Sequence, residues 1–474
     1  PEDLDECLIN AIEISPHDKA TAFIATTRYK FGDKRPGLYK TTDYGETWTA
    51  ISEGIPAGAF TRVVREDTEF AGLLFAGTET GLYLSTDGGA SWEAYQSNLP
   101  VTPILDLMVR HDDVIVATSG RSFWVLDDLS LIRQFENADS EFYLFQPEPA
   151  LLSNHGSQLS GNSDDFTGAA TMQGVNPANG VVIYYAIPEL GDDDHVELEI
   201  HDAEGTLVNR FSSKKDDSFV GYAGGPPSPT SIPKAKGLNR FVWNMRYRTM
   251  PGVPKAYIEA SYRGHKAIPG DYKLSLSIKR GKKEKADDEG DDAKEAEGLS
   301  ESLEVTATIQ ANPLYSTTPE QYSEFHTFMS EVEASLTEMH QMTNRLYKIN
   351  QQLGLLLKSI PEDELDEKLR DEGESLVKTI TEWDEEMVQR LAKAYDDVEN
   401  YPNKFTAEYL FMINHTESGL PKVTEPARDR RAELDTQWAE LKKRADRLLK
   451  KELPAFNKKL WGNNIGAIWA GAGK

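Results

Sequence analysis

The 474 residues carry 51 Lys and Arg against 78 Asp and Glu, a formal net charge of −27 at pH 7. A nucleic-acid backbone or an anionic membrane surface would be repelled, so neither is an expected partner. No apolar run reaches the roughly 18 residues that a membrane-spanning helix needs, and Cys7, the one cysteine, allows neither an internal disulfide nor a thiolate metal cluster.

The length suits three domains, each able to bury its own core. In the first part, 20–29, 37–42 and 47–51 read as short strands between Gly, Pro and Asp turns, and 62–65, 73–77, 81–85 and 91–95 repeat them. Segments 104–110, 114–117 and 122–126 make a third set. Two sets share one turn: Thr41-Thr42-Asp43-Tyr44-Gly45-Glu46-Thr47-Trp48 and Ser85-Thr86-Asp87-Gly88-Gly89-Ala90-Ser91-Trp92. Their tryptophans are 44 residues apart, and a period in the forties with four short strands marks a propeller blade. The Asp is expected to accept from backbone N–H groups two residues on, the Gly to take a positive φ, and the Trp to fill the gap between sheets. Thr41, Asp43, Gly45, Thr47 and Trp48, with Ser85, Asp87, Gly89, Ser91 and Trp92, are therefore assigned to the scaffold, because repetition gives each the same task.

Three blades leave open edges, whereas rings close with about four to eight. The missing blades are expected from preceding sequence or another chain. Since Pro1 falls inside a blade, the expectation is the C-terminal portion of a longer polypeptide. Arg121, Trp124 and Asp127 break the turn pattern. An Arg beside an aromatic can hold a carboxylate or stack on a sugar. Alternatively, Trp124 packs between sheets and Arg121 pairs with Asp127 or Asp128. Arg28 and Tyr29 have the same two readings.

Alternating strands at 181–185, 196–201, 207–211, 239–245, 270–278 and 303–309 predict a β-sandwich, with Phe241 and Trp243 facing its core. His155, His195, His201 and His265 lack metal-ligand spacing and read as ordinary polar residues. Asp192, Asp193 and Asp194 read as a solvated turn rather than a Ca²⁺ loop. The charged stretch 279–299 is too polar to offset the entropy of ordering and is expected to be a mobile loop.

Thr318-Pro319-Glu320-Gln321 is a capping box that opens a helix. Tyr322, Phe325, Met329, Val332, Leu336, Met339, Leu346 and Leu353 form its apolar stripe. A second stripe runs from Leu365 through Leu369, Leu376, Ile380, Trp383, Met387 and Leu391 to Val398. A third holds Leu434, Trp438, Leu441, Ala445 and Leu448, and a small helix is expected over 407–413. Together they predict an antiparallel bundle. Glu338 and His340 do not have the spacing of a di-metal bundle site, and the 460–469 segment is expected to dock back without forming an independent helix. No metal or cofactor is expected.

Residues 9–135 resemble the last blades of the large bacterial sortilin-like, BNR (Asp-box) repeat β-propeller proteins, often described by analogy as glycosyl hydrolases. The resemblance is carried by both turns and by Thr61-Arg62-Val63-Val64-Arg65-Glu66-Asp67, Ala76-Gly77-Thr78-Glu79-Thr80-Gly81 and Gly120-Arg121-Ser122-Phe123-Trp124-Val125-Leu126-Asp127-Asp128. Relatives have a His before that Gly-Arg; this chain has Ser119. Gly237-Leu238-Asn239-Arg240-Phe241-Val242-Trp243-Asn244, Pro269-Gly270-Asp271-Tyr272 and Tyr401-Pro402-Asn403-Lys404 extend the resemblance through an Ig-like module to the C-terminus. It implies a mainly β plus α multidomain chain: propeller blades over 1–137, an Ig-like β-sandwich over 138–314, and an antiparallel helical bundle with a tail over 315–474.

A secreted, periplasmic or cell-surface location is also implied. The expected function is a binding or scaffold protein that recognises peptide or glycan. One alternative is a sialidase-like glycoside hydrolase or lyase, whose arginine cluster, nucleophile and acid would lie mainly in absent blades. The other is a structural subunit that forms a homo-oligomer through the bundle.

Overall fold

The computed structural model describes residues 6–135, 141–162, 174–281, 301–361 and 365–468. Its first part is three antiparallel meanders with strands in chain order. The first is β1 (Leu8–Ile14), β2 (Ala22–Arg28), β3 (Asp33–Thr41) and β4 (Thr49–Ala50). The second is β5 (Thr61–Glu66), β6 (Leu74–Thr78), β7 (Leu82–Ser85) and β8 (Glu93–Ala94). The third has three strands, β9 (Ile104–Arg110), β10 (Asp113–Thr118) and β11 (Phe123–Leu126), followed by the short helix α1 (Ser130–Phe135).

The meanders stack face to face, because each sheet has apolar residues on both faces. Phe23, Ala25, Leu38 and Ile51 meet Val64, Leu74, Ala76 and Trp92 in one core. Val63, Phe75 and Leu82 meet Ile104, Leu107, Val114 and Val116 in the next. Among the described residues, neither outermost face has a sheet packed against it. Ile12 and Ile14 stand exposed on the first, with Ile14 at 70%. Met108, Phe123 and Val125 stand exposed on the third, with Phe123 at 77%.

Gly54 joins the first core to the second meander. It has φ +96°, and a Cβ there would lie 2.1 Å from the Trp92 carbonyl oxygen. Gly54→Ala is expected to cost about 1–3 kcal/mol through strain and clash. A lowered urea midpoint would show this, whereas an unchanged midpoint would mean that the link shifts freely.

Two sheets share the second core. One is β12 (Tyr143–Leu144), β14 (Val181–Ile187) and β17 (Gly237–Trp243). The other has the order β13 (Ala150–Leu151), β19 (Glu301–Gln310), β18 (Gly270–Lys279), β15 (His195–His201), β16 (Leu207–Ser212), with β13 parallel to β19 and the other pairs antiparallel. Phe241 pairs with Ile183 and Trp243 with Val181, and all four are fully buried. They face Leu198, Ile200, Leu274 and Leu276 across the common core. Most of the charged stretch at 279–299 lies outside the described residues. At its start, Arg280 Nη1 donates to Asp194 Oδ2 at 2.9 Å and the Gly281 N–H donates to Asp194 Oδ1 at 2.8 Å.

The last part is helical: α2 (Pro319–Ser359), α3 (Glu367–Met387), α4 (Phe405–Ser418), α5 (Glu425–Arg447) and α6 (Leu453–Gly462). Thr318 and Gln321 close the capping box of α2. The second stripe ends earlier than expected. Arg390 folds back onto Asp384, with Nη2 to Oδ1 at 2.7 Å, and the Val388 N–H caps the Asp384 carbonyl. Leu391 is thus 64% exposed and Val398 lies in a short 3-10 turn, not on α3. Helix α4 is longer than 407–413 because it is apolar on most sides, burying Phe405, Ala407, Tyr409, Leu410, Met412 and Ile413. Leu460 belongs to α6, after which the chain docks back: the Ile468 N–H donates to Asn457 Oδ1 at 2.8 Å. Trp469 lies outside the described residues.

The helical core crosses the sequence boundary at 314. Met250, Val253, Ala256, Ile258 and Tyr262, from the link between β17 and β18, pack among the helices. Tyr322 of α2 packs in the sheet core. Here His265 departs from the expectation of an ordinary polar residue. It is 1% exposed, its N–H donates to Glu333 Oε1 at 2.7 Å, and its ring nitrogens lie 3.0 Å from Glu333 Oε2 and 3.0 Å from His326 Nδ1.

Candidate functional site

Antiparallel order sends the two kinds of turn to opposite rims of the meander stack. At one rim lie the two Asp turns. Asp43 Oδ1 accepts from Thr41 Oγ1 at 2.7 Å and from the Thr47 N–H at 2.9 Å, and Oδ2 accepts from Thr47 Oγ1 at 2.5 Å. Asp87 repeats this with Ser85 Oγ at 2.8 Å, the Ser91 N–H at 2.9 Å and Ser91 Oγ at 2.6 Å. The backbone donor is therefore four residues on, not two. The group two residues away is the preceding hydroxyl, which itself accepts from the Gly45 or Gly89 N–H.

Gly45 and Gly89 have φ of +91° and +93°, the left-handed conformation that glycine adopts without strain. Bonds from Thr47 and then Thr41 hold the Asp43 carboxyl down at about 2. For Asp87, burial opposes ionisation, but the bonds from Ser91 and Ser85 outweigh it and the value is again about 2. Both carboxylates spend their acceptor capacity inside the turn. Trp92 is 3% exposed and donates from Nε1 to the Ile51 carbonyl of the preceding meander at 2.6 Å. Trp48 has no such meander behind it and is half-buried.

The three residues that break the turn pattern are not brought together. Arg121 precedes β11 and Asp127 follows it, so the strand holds them at opposite rims. Trp124 pairs in register with Val116, packs at the edge of the second inter-meander core, and donates from Nε1 to the Arg121 carbonyl at 2.8 Å. Arg121 does not pair with Asp127 or Asp128, and among the described residues no carboxylate lies within ion-pair distance of it. Partial desolvation, then the charges of Asp113 and Asp128, raises the Asp127 carboxyl.

The rim opposite the Asp turns has the better site geometry. The Tyr29 and Phe60 rings stack at 5.1 Å with 14° between their planes. The Arg62 guanidinium lies 5.1 Å over the Phe60 ring. Its Nη2 and Nε donate to Glu79 Oε2 at 2.6 and 2.9 Å. Thr61 locks this corner, donating from Oγ1 to the Thr26 and Gly37 carbonyls. Tyr29 and Phe31 are exposed there. The rim bears Arg28, Lys30, Lys34, Arg35, Arg62 and Arg121, against Asp33 and Glu79. The Asp-turn rim bears Asp18, Asp43, Glu46, Asp67, Asp87, Asp112 and Asp127 against Lys19 and Arg133, the latter paired with Asp67 and Asp112. The acidic chain thus segregates its charge, leaving one cationic, aromatic edge.

A second array lies on the first strands of the meanders. Arg65 of β5 sits between Glu13 of β1, at 3.7 Å, and Asp106 of β9, at 3.0 Å. Burial raises the Glu13 carboxyl, with Arg65 opposing. Sequence reasoning missed this ladder and the Phe60–Arg62–Glu79 corner; their only sequence signal is recurrence of charge at matching places in the three repeats. Among the described residues no group of three or more His, Cys, Asp or Glu is placed to hold a metal, and no helix is long and apolar enough to cross a membrane.

No family model matches the chain, and no curated protein matches it either. Similar solved structures are β-propeller proteins. YCF48 bound to D1 peptide is 16% identical with a TM-score of 0.20, over 26% of this chain and 36% of that one. A Niastella koreensis GH74 enzyme is 14% identical with a TM-score of 0.22, over 46% and 32%. The GH74 xyloglucanase from Xanthomonas campestris is 11% identical with a TM-score of 0.19, over 68% and 40%. The chain spans well under two thirds of the length of each. Overlaps this weak decide nothing about this chain.

Proposed function

We propose that this is an Asp-box β-propeller binding protein that holds a peptide or glycan at its cationic, aromatic rim. The single observation behind this is the Tyr29–Phe60–Arg62 stack, which shares an edge with the exposed Arg121 in a chain of net charge −27. The exposed Tyr29 ring, held in place by Phe60 and the Glu79-bound Arg62, takes up sugar or apolar side chains, and the Arg121 guanidinium takes up a carboxylate. In this reading, 1–137 is an arc of blades, 138–314 an Ig-like β-sandwich and 315–474 an antiparallel bundle, with Arg121 a ligand contact and Trp124, which bonds to its carbonyl, a supporting group; Asp127, at the opposite rim, takes no part.

The bare faces of the first and third meanders support the arc, since further blades of the same polypeptide would cover both. The secreted, periplasmic or cell-surface location rests on the family resemblance. Binding is favoured over hydrolysis because Arg65 engages both Glu13 and Asp106 as ion-pair partners, rather than leaving them as a free acid and base.

Glycan and peptide arrays probed with the purified chain test this reading. Tyr29→Ala and Arg62→Ala are each expected to weaken the captured ligand roughly tenfold or more, as central interface contacts do. Equal binding by wild type and both variants would sink the rim assignment. Cleavage of an arrayed glycan would favour the hydrolase instead.

A further inference from the structure

The link between β17 and β18 folds into a two-stranded ribbon with a cleft beside it. The Tyr247 N–H donates to the His265 carbonyl at 3.0 Å, and the Met250 N–H donates to the Tyr262 carbonyl at 2.8 Å. Gly264 permits the close approach, since a Cβ there would lie 2.6 Å from the Arg248 carbonyl oxygen. Helix α2 anchors the ribbon tip: His340 Nδ1 donates to the Pro251 carbonyl at 2.6 Å and Asn344 Nδ2 to the Gly252 carbonyl at 3.1 Å. The ribbon is thus held from two sides before any ligand arrives.

The loop after β16 forms the opposite wall, enclosing about 840 Å³. That volume lies within the range of small-ligand sites. Phe219, Tyr222, Pro226 and Pro227 give the cleft an apolar wall. Among the described residues the Tyr222 hydroxyl has no hydrogen-bond partner.

Four arginines line the cleft, and their partners divide them into two pairs. Arg210 bonds to Glu199, and Arg246 Nη2 lies 2.9 Å from Glu417 Oε1. Arg248 and Arg263 are exposed, and among the described residues neither has a carboxylate within ion-pair distance. Asp216 is the acidic residue in the lining. It already accepts from the Ser218 N–H at 3.0 Å and from Ser218 Oγ at 2.5 Å. Two uncompensated guanidinium groups beside an apolar wall are unusual for a chain with 27 excess negative charges.

We propose that this cleft is a separate binding site for a short acidic peptide segment, with Arg248 and Arg263 pairing its carboxylates and the Phe219, Tyr222 and proline wall packing its apolar side chains. Guanidinium forks suit carboxylates in geometry and charge. A neutral sugar is disfavoured because it brings no carboxylate to the two uncompensated guanidinium groups. Asp216 spends Oδ1 on Ser218, and Asn209 spends its amide on the Arg246 carbonyl and its oxygen on the Arg210 N–H.

The test is an array of immobilised tetrapeptides that combine Glu or Asp with Leu, Phe or Val, each beside its Gln or Asn counterpart. It is probed with the purified chain and with Arg248→Ala, Arg263→Ala and the double variant. Acidic members are expected to capture the protein and their amide counterparts not to. Each single substitution is expected to weaken capture roughly tenfold, and the double to abolish it. Every chain in this test also carries Tyr29→Ala and Arg62→Ala, which removes the contribution of the meander rim and separates this cleft from it. Both arginines are exposed, so circular dichroism of the variants should match wild type. Equal capture of acidic and amide peptides, or undiminished capture by the double variant, overturns the proposal. So does binding of a trimeric uronate by a chain that captures no acidic peptide.

Discussion

His340→Leu is expected to flatten the loss of stability that the wild-type chain suffers as pH falls from about 6.5 to about 4. His340 lies on α2, fully buried, with Nδ1–H donated to the Pro251 carbonyl at 2.6 Å and Nε2 buried without a partner among the described residues. A second proton would sit on Nε2 with nothing to accept from it. Burial therefore pushes the imidazole down to about 4, with the Pro251 bond only partly opposing. A folded-state value below the unfolded one means that the native state binds fewer protons. The stabilisation is complete above about 6.5 and drains away as pH falls to about 4.

A shift of that size corresponds to something on the order of 3 kcal/mol. His326 acts in the same direction, lowered by burial and then by His265. Urea midpoints at several pH values, read by hydrogen exchange of α2 amides, check the prediction. The variant should be less stable at pH 7, because the Pro251 carbonyl loses its donor, yet lose less on acidification. A variant with the full wild-type slope would remove His340 as the responsible group. The Asp turns do not confuse the readout, since carboxyls held at about 2 matter only below their ordinary value of 3.8.

Trp92→Ala is expected to cost about 3–5 kcal/mol, the usual effect of truncating a buried Trp. Trp48→Ala is expected to cost much less. The two residues occupy the same place in the same turn, but only Trp92 has a meander to pack against and the Ile51 carbonyl to bond. Hydrogen exchange of β6 and β2 amides resolves the difference, whereas a global midpoint mixes several cores. Equal protection losses in the two variants would mean that the Trp acts within its own turn rather than across the inter-sheet gap. In a polypeptide with a meander stacked on the bare face of β1, the cost of Trp48→Ala should rise toward that of Trp92→Ala.

The helices show how far local pattern reaches. The box at Thr318 and Gln321 opens α2 as read, because both partners lie within four residues. The stripe through Met387 was legible for the same reason, but its end was not. Asp384 and Arg390 halt α3 by a side-chain clamp that no apolar spacing encodes. Helix α4 extends beyond 407–413 with little sequence signal, because burial on most sides removes the periodicity that marks a helix.

Arg121 and Asp127 lie apart for a related reason. Six residues are near in sequence, but the intervening extended strand places them at opposite rims.

By itself the sequence determined what depends on neighbours in the chain: the Asp turns, the period of the strands, the capped start of α2 and the acidic balance of the whole. Only the tertiary structure decided which distant groups meet. Glu333 reaches His265 across 68 residues, and Phe60 and Arg62 meet Tyr29 and Glu79 from separate strand ends. Arg248 and Arg263 share a cleft because a ribbon returns on itself. Turn and cap chemistry is satisfied by hydrogen bonds within a few residues, so it is written locally. Pairing and the absence of pairing are settled by the path of the whole chain, since charge and burial act through space.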